Sequence, residues 1–167
     1  MQNPIKFTGV FKVECRGQDG KLKWSEEFPN QVTTVGATEV LQQAFNGSAY
    51  TAAWYMGLVT GPGAGNTYAA GDTMASHAGW AEHTDYSEAT RPAASFSAAS
   101  AGAIATSAAT EFSINSGATI AGAFLTTNST KSGATGVIYS VGNFVSGDRT
   151  VTNGDIVAVS YTTTGTV

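Results

Sequence analysis

The sequence predicts a mainly β fold, an antiparallel β-sandwich or jelly-roll-like barrel with one short helix and an N-terminal hairpin. Three observations predict it. Apolar and polar residues alternate along residues 1–30. Beyond residue 92, short β-type runs recur at a spacing of roughly ten to fifteen residues, separated by Gly, Ser, Asn and Thr. Only residues 36–46 carry a helical period. The 167 residues form a single domain, 1–167, at ~100–200 residues per domain. That length buries about two-thirds of the unfolded surface, enough for an ordinary core.

Residues 1–30 hold 9 of the 20 charged residues and read as the hairpin. Phe7, Phe11, Val13 and Cys15 fall on one face, with Lys12, Glu14 and Arg16 opposite. Gln18-Asp19-Gly20 makes the turn, Asp-Gly supplying the positive φ a tight hairpin needs. The return strand alternates Leu22, Trp24 and Phe28 against Lys21, Lys23 and Glu27. Glu26 interrupts its apolar face, which predicts a sheet covered only towards the middle of that strand. Pro29-Asn30 ends it. In residues 36–46, Ala37, Val40, Leu41, Ala44 and Phe45 form one apolar stripe, with Gly47 placed for a left-handed cap. So short a helix needs a sheet to pack on.

Trp54 to Val59 is apolar on both faces, which predicts a central strand buried on both sides. The Gly- and Pro-bearing loop Thr60 to Thr73 is long for a compact domain and is expected to contact something. Residues 74–92 are irregular and read as a short helical turn and an extended segment. From Ala93 the chain becomes charge-poor (93–167), with only Glu111 and Lys131 charged between Ala93 and Gly147. Its predicted strands are Ala94–Ala98, Glu111–Ile114, Gly122–Thr127, Gly136–Val141 and Asp155–Thr163.

Composition excludes several functions. Charged residues make up 12% of the chain, against ~25% in a typical soluble domain. Ala, Thr, Gly and Ser supply 84 of 167 residues. A net charge of −4 leaves no cationic surplus to neutralise phosphates, which argues against nucleic acid as a partner. No apolar run approaches ~20 residues, which argues against a membrane-spanning helix. Met1 to Lys12 shows no secretory pattern. Edge strands with few charged gatekeepers invite pairing. Either turns and loops cap these edges or the surface is covered in an assembly. The second is favoured, because interface centres are depleted in charge.

Chemistry-bearing residues are few. His77 and His83, with Asp72, Glu82 and Asp85, form the one candidate metal or acid–base cluster. Six residues apart on a straight strand, the imidazoles would stand ~20 Å from each other. A surface or hydrogen-bonding role is the favoured reading. Gly61 to Asn66 lacks the Gly-Lys-Ser/Thr ending of a phosphate loop. Cys15 lies on an apolar face with no histidine nearby in sequence, as a core residue does. A Gly-x-Ser-x-Gly elbow is absent, and Glu26 and Glu27 face opposite ways. Trp24 and Trp54 read as core, whereas Trp80 and Tyr86 are the exposed aromatics expected of a carbohydrate platform. Asn46-Gly47-Ser48 and Asn128-Ser129-Thr130 match glycosylation acceptors, which carry no weight without a secretory signal. No enzyme activity, cofactor or metal is expected.

Several stretches resemble a family of structural proteins from tailed bacteriophages. They are Phe11 to Trp24 (FKVECRGQDGKLKW), Trp54 to Val59, Gly71 to Trp80 (GDTMASHAGW), Tyr86 to Pro92, Gly122 to Leu125, and Gly136 to Asp148. The likeness extends over almost the whole chain, and MASHAGW is its most specific piece. The resemblance implies a virion component. It points to a capsid decoration (cement) protein on the major capsid protein, or alternatively a tail or tail-fibre component that binds a host receptor or glycan. It carries over no catalytic residue. The expected assembly contacts are Lys12, Arg16, Lys21 and Lys23 of the hairpin, Pro62 and Tyr68 of the long loop, and Trp80 and Tyr86. Self-association as a dimer or trimer is expected through residues 93–147.

Overall fold

The computed structural model describes residues 5–47 and 53–166. Twelve strands and one helix lie among them. The strands are β1 (Lys6–Arg16), β2 (Leu22–Pro29), β3 (Gln31–Val32), β4 (Trp54–Thr60), β5 (Glu82–His83), β6 (Ala93–Ala94), β7 (Ala103–Ala105), β8 (Thr110–Ser113), β9 (Ala118–Thr126), β10 (Ile138–Asn143), β11 (Arg149–Val151) and β12 (Ile156–Thr166). The helix α1 is Thr34–Phe45. The predicted class holds: the chain is mainly β, with two antiparallel sheets in a sandwich-like arrangement.

Sheet A runs β2-β1-β12-β7, with β8 following β7's place along the same edge of β12. Sheet B runs β3-β10-β9-β4-β5, with β11 extending the β10 position and β6 the β5 position. The hairpin forms as predicted. Gly20 takes a φ of +76°, which favours glycine, and Asp19 Oδ1 accepts from Lys21 N–H at 3.0 Å. β1 then pairs along its full length with β12, from Lys6↔Thr166 to Arg16↔Ile156, so the two ends of the chain share one ladder.

The sheets bury their facing sides against each other. Phe11, Val13, Cys15 and Phe28 of sheet A, with Val157, Val159 and Tyr161, meet Met56, Leu58, Ile120, Ala123 and Leu125 of sheet B. Sheet B is also covered on its outer side. Val59, Ala121, Phe124, Ile138 and Val141 form a second cluster there, under Met74, Trp80 and Tyr68. This explains why β4 is apolar on both faces, with Met56 to Val59 all buried. The long loop that is expected to touch something touches its own sheet. Sheet A keeps an open outer face, where Thr8, Val10, Lys12 and Arg16 are exposed.

Other expectations are corrected. Helix α1 starts two residues early because Thr33 caps it, its hydroxyl oxygen accepting from Gly36 N–H at 2.9 Å. Gly36 lies against the β10 backbone, where a Cβ would stand 2.6 Å from Tyr139 Cα. Gly47 is not left-handed; the C-cap is Asn46 at φ −131°. The apolar stripe of α1 is covered only in part. Val40 packs on the core, but Leu41 is 42% and Phe45 83% exposed. Glu26 does not leave the sheet uncovered. It is buried and receives two hydrogen bonds from Arg149, one of them from Nε at 2.8 Å. Residues 74–92 hold no helical turn; they form turns and bends, the two-residue β5, and single bridges at Ser76 and Tyr86. Strands β3, β7 and β11 were not foreseen, β5 falls in the segment 74–92 expected to be partly extended, and β6 is shorter than the run Ala94–Ala98. Edges are short or broken at β3, β5/β6 and β7/β8, so loops and turns protect three of the four edges within the chain. The fourth edge is β2, eight residues long, so edge pairing there remains a reason for assembly. Ser48, the end of one acceptor motif, and residues 1–4 lie outside the described residues.

Candidate functional site

Four hairpin cations are expected to be contacts, and the structure divides them. Lys12 and Arg16 point outward on β1 and share Glu14, at 2.9 and 3.2 Å. Strand alternation puts all three on the open face of sheet A. Lys21 sits at the hairpin tip, 3.3 Å from Asp19. These exposed pairs contribute little to stability, so their cations are free to exchange partners. Lys23 is committed inward. Its Nζ donates to Asp155 Oδ2 at 2.6 Å, which ties the end of the hairpin to the start of β12.

Asp155 is a hub. It also accepts from Thr152 N–H at 2.8 Å and from the Thr152 hydroxyl at 3.1 Å. Burial by itself would raise its carboxyl, but the hydrogen bonds from Lys23 and Thr152 outweigh burial and hold it below the ordinary 3.8. A carboxyl with a lowered folded pKa binds fewer protons folded than unfolded. It therefore contributes stability above the unfolded value and loses it as pH falls through the folded one. Urea titrations from pH 7 down to pH 2 are expected to show this loss beginning near pH 4. Asp155→Asn is expected to be less stable than the parent at pH 7 by about 1.5–3 kcal/mol, a gap that closes in acid. An unchanged gap at pH 2 would contradict the assignment.

Cys15 Sγ lies 3.7 Å from the same carboxylate. Burial first, then the Asp155 charge, pushes its thiol up to about 11. At neutral pH it is a protonated core group, without the thiolate a nucleophile needs.

The histidines do not converge. His77 stacks on Trp80 with ring centroids 4.1 Å apart, and its Nδ1 lies 3.1 Å from Trp80 O. His83 is buried on β5, where burial lowers its pKa against the opposing pull of Asp85 and Glu82. Among the described residues, no group of three or more His, Cys, Asp or Glu side chains is placed to hold a metal ion.

Trp80 and Tyr86 are not the exposed aromatics the sequence suggests. Trp80 is 6% exposed: its indole packs 5.1 Å from Phe124 and donates to Asp72 Oδ2 at 3.1 Å. Tyr86 is buried against Phe112 under Lys131, whose Nζ stands 3.7 Å over the ring and donates to Tyr86 O at 2.7 Å. Neither can stack on a sugar without unfolding its surroundings. Tyr68 is half-buried beside Trp80, and its hydroxyl donates to Asn143 Oδ1. Burial pushes its phenol up to about 12. Asn143 Nδ2 in turn donates to Gly63 O at 3.1 Å, and Asp148 accepts from Gly63 N–H at 2.8 Å. This polar latch fastens the long loop to β10 and leaves Pro62 exposed.

Sequence reasoning missed the largest buried ion pair. Arg91 is fully buried and grips Glu82 with two hydrogen bonds of 2.8 Å, while Nη1 donates to Asn128 O at 2.9 Å. Glu82 Oε2 also accepts from Ser132 N–H at 2.7 Å. No spacing rule could have paired them, because both lie in irregular sequence. The buried carboxylates of Glu26, Glu82 and Asp155 are thus engaged by Arg149, Arg91 and Lys23, while Lys12, Arg16 and Glu14 form their ion pairs with one another on the open face of sheet A. No helix among the described residues is long and apolar enough to cross a membrane. No protein-family model, curated protein or solved structure matches the chain.

Proposed function

We propose that the chain is a non-enzymatic virion structural protein, a capsid decoration protein that binds the outer surface of the major capsid shell and stabilises it across subunit boundaries. The resemblance to tailed-phage structural proteins supports this reading. The structural observation that carries it is the asymmetry of the two sheets. Sheet B is covered on both faces, whereas sheet A presents an open, rigid face bearing Lys12 and Arg16. A flat face on a two-sheet scaffold is preorganised and costs little ordering on binding. A specific contact of ~1,200–2,000 Å² is within reach of such a face together with the hairpin tip. Many copies, each spanning two subunits, oppose outward displacement of the shell because each binds only the assembled form. The same surface reasoning favours self-association of the decoration protein.

The test is a copy count in purified particles, paired with binding of the purified chain to heads stripped of it. On the order of hundreds of copies per particle and saturable head binding are expected. Lys12→Glu/Arg16→Glu is expected to weaken binding at least about tenfold with the fold unchanged, because both side chains are exposed and form ion pairs only with the neighbouring Glu14. A dozen copies or fewer, confined to tails, would overturn the decoration reading in favour of a tail component.

A further inference from the structure

Among the described residues, strand β2 pairs with β1 on one side and with no strand on the other. The ladder fixes where its backbone groups point. Asn30 N–H donates to Gly9 O, and the register runs on through Phe11↔Phe28, Val13↔Glu26 and Cys15↔Trp24. Bonded and non-bonded pairs alternate in an antiparallel ladder, so Trp24, Glu26 and Phe28 turn their N–H and C=O groups to β1. Ser25 and Glu27 turn theirs away. Lys23, the extra residue at the Cys15/Arg16 bulge, turns its C=O away, since it lies trans to the inward Trp24 N–H. All three residues are exposed, and no described residue outside the ladder bonds these groups. Pro29 has no N–H and ends the row.

We propose that β2 is a self-pairing edge: a second copy of the chain adds its own β2 antiparallel to it, about a two-fold axis at Ser25. In this register Ser25 of each copy bonds Ser25 of the other in both directions, and Glu27 N–H of each donates to Lys23 C=O of the other. Every outward N–H of Ser25 and Glu27 thereby finds an acceptor. Charge selects the same register. Lys23 stands opposite Glu27 of the second copy, and Lys21, whose side chain is 84% exposed, stands diagonal to it. A two-residue shift towards Pro29 would set Glu26 against Glu26, like charges directly opposed. The opposite shift would set Glu27 against Lys21, whose C=O already accepts from Gly17 N–H at 3.0 Å. The order Lys23-x-Ser25-x-Glu27 is thus complementary to its own reverse, a property that an edge built for an unrelated strand does not need. Pairing there makes one continuous sheet, β7-β12-β1-β2 of one copy running into β2-β1-β12-β7 of the other. The axis stands perpendicular to that sheet, so the open faces of both copies, with Lys12 and Arg16, look the same way.

This inference names β2, rather than residues 93–147, as the surface for the self-association proposed above, and it does not depend on capsid binding. One short edge buries less than the ~1,200 Å² of a standard interface, so a weak, reversible dimer is expected. Sedimentation velocity of the full chain, from about 1 to 500 µM, should show a monomer–dimer equilibrium within that range. Ser25→Pro removes an N–H that β1 does not use, and edge strands tolerate proline. It is expected to weaken the dimer at least about tenfold, because both bonds at the axis are lost, while circular dichroism of the dilute variant matches the parent. Cysteine cross-linking reads the register directly and needs no proline. Two Ser25 residues meet at the axis, whereas two Glu27 residues stand ~13 Å apart. Under mild oxidation Ser25→Cys is expected to form the disulfide-linked dimer at least about tenfold faster than Glu27→Cys. The native Cys15 is buried and does not compete. A parent that stays monomeric at 500 µM overturns the proposal. So does a trimer, a dimer that a folded Ser25→Pro chain retains, or equal cross-linking at positions 25 and 27. Head binding scored on the same proteins separates the two readings. Dimers that ignore heads sink only the decoration reading, and monomers that coat heads sink only this one.

Discussion

Arg91→Ala is expected to lower the unfolding free energy by about 3–5 kcal/mol, the largest effect of any single side-chain truncation outside the apolar core. Arg91 sits fully buried with its guanidinium on Glu82 and Asn128 O. Its removal leaves the Glu82 carboxylate, 6% exposed, with only the Ser132 N–H as a partner. An uncompensated buried charge is far worse than no charge. The ion pair also joins β5 to two irregular segments, 91–92 and 128–132, with which it shares no ladder. Urea denaturation should show the midpoint falling with little change in slope. Arg91→Met combined with Glu82→Leu is expected to recover most of the loss, since a pair of apolar residues needs no compensation. A loss below about 1 kcal/mol for Arg91→Ala would mean the pair is solvated and the burial argument wrong.

Trp80→Ala should cost about 3–5 kcal/mol and strip the outer cover from sheet B. The indole packs on Phe124 and anchors Asp72, and Met74 and Tyr68 lean on the same patch. Without it, Val59, Ala121 and Phe124 meet water. Hydrogen exchange is expected to accelerate across residues 61–81 while the β1–β12 ladder stays protected, because the two lie on opposite sides of the molecule's core. The result also discriminates between functions. A glycan-stacking Trp80 would lose binding on truncation and leave stability intact, so an unchanged unfolding midpoint would reinstate that role.

Period-two alternation placed Phe11, Val13 and Cys15 on the inner face of β1, and all three are fully buried. Asp19-Gly20 marked the turn correctly, since a positive φ is a local requirement. The double burial of Met56 to Val59 was legible too, because a strand apolar on both sides must be covered on both. The identity of that cover was not. Tyr68, Met74 and Trp80 lie in a segment without periodicity, and their role appears only once the loop is laid over β9. Thr33 could have been read as the helix cap from its place three residues before Gly36, a signal weaker than the apolar stripe that set the predicted start. Leu41 and Phe45 misled in the other direction: the stripe was real, but the chain supplies no wall for its outer half.

By itself the sequence determined the class, the hairpin, the helix and the doubly covered central strand. Each follows from steric and solvation rules acting within a few residues. Only the tertiary structure decided which charges are spent and which are free. Lys23 meets Asp155 across 132 residues and Glu26 meets Arg149 across 123, so one lysine of the hairpin is locked while Lys12 and Arg16 stay open. Such pairings are set by sheet register and loop placement, and neither is written in the local pattern of side chains.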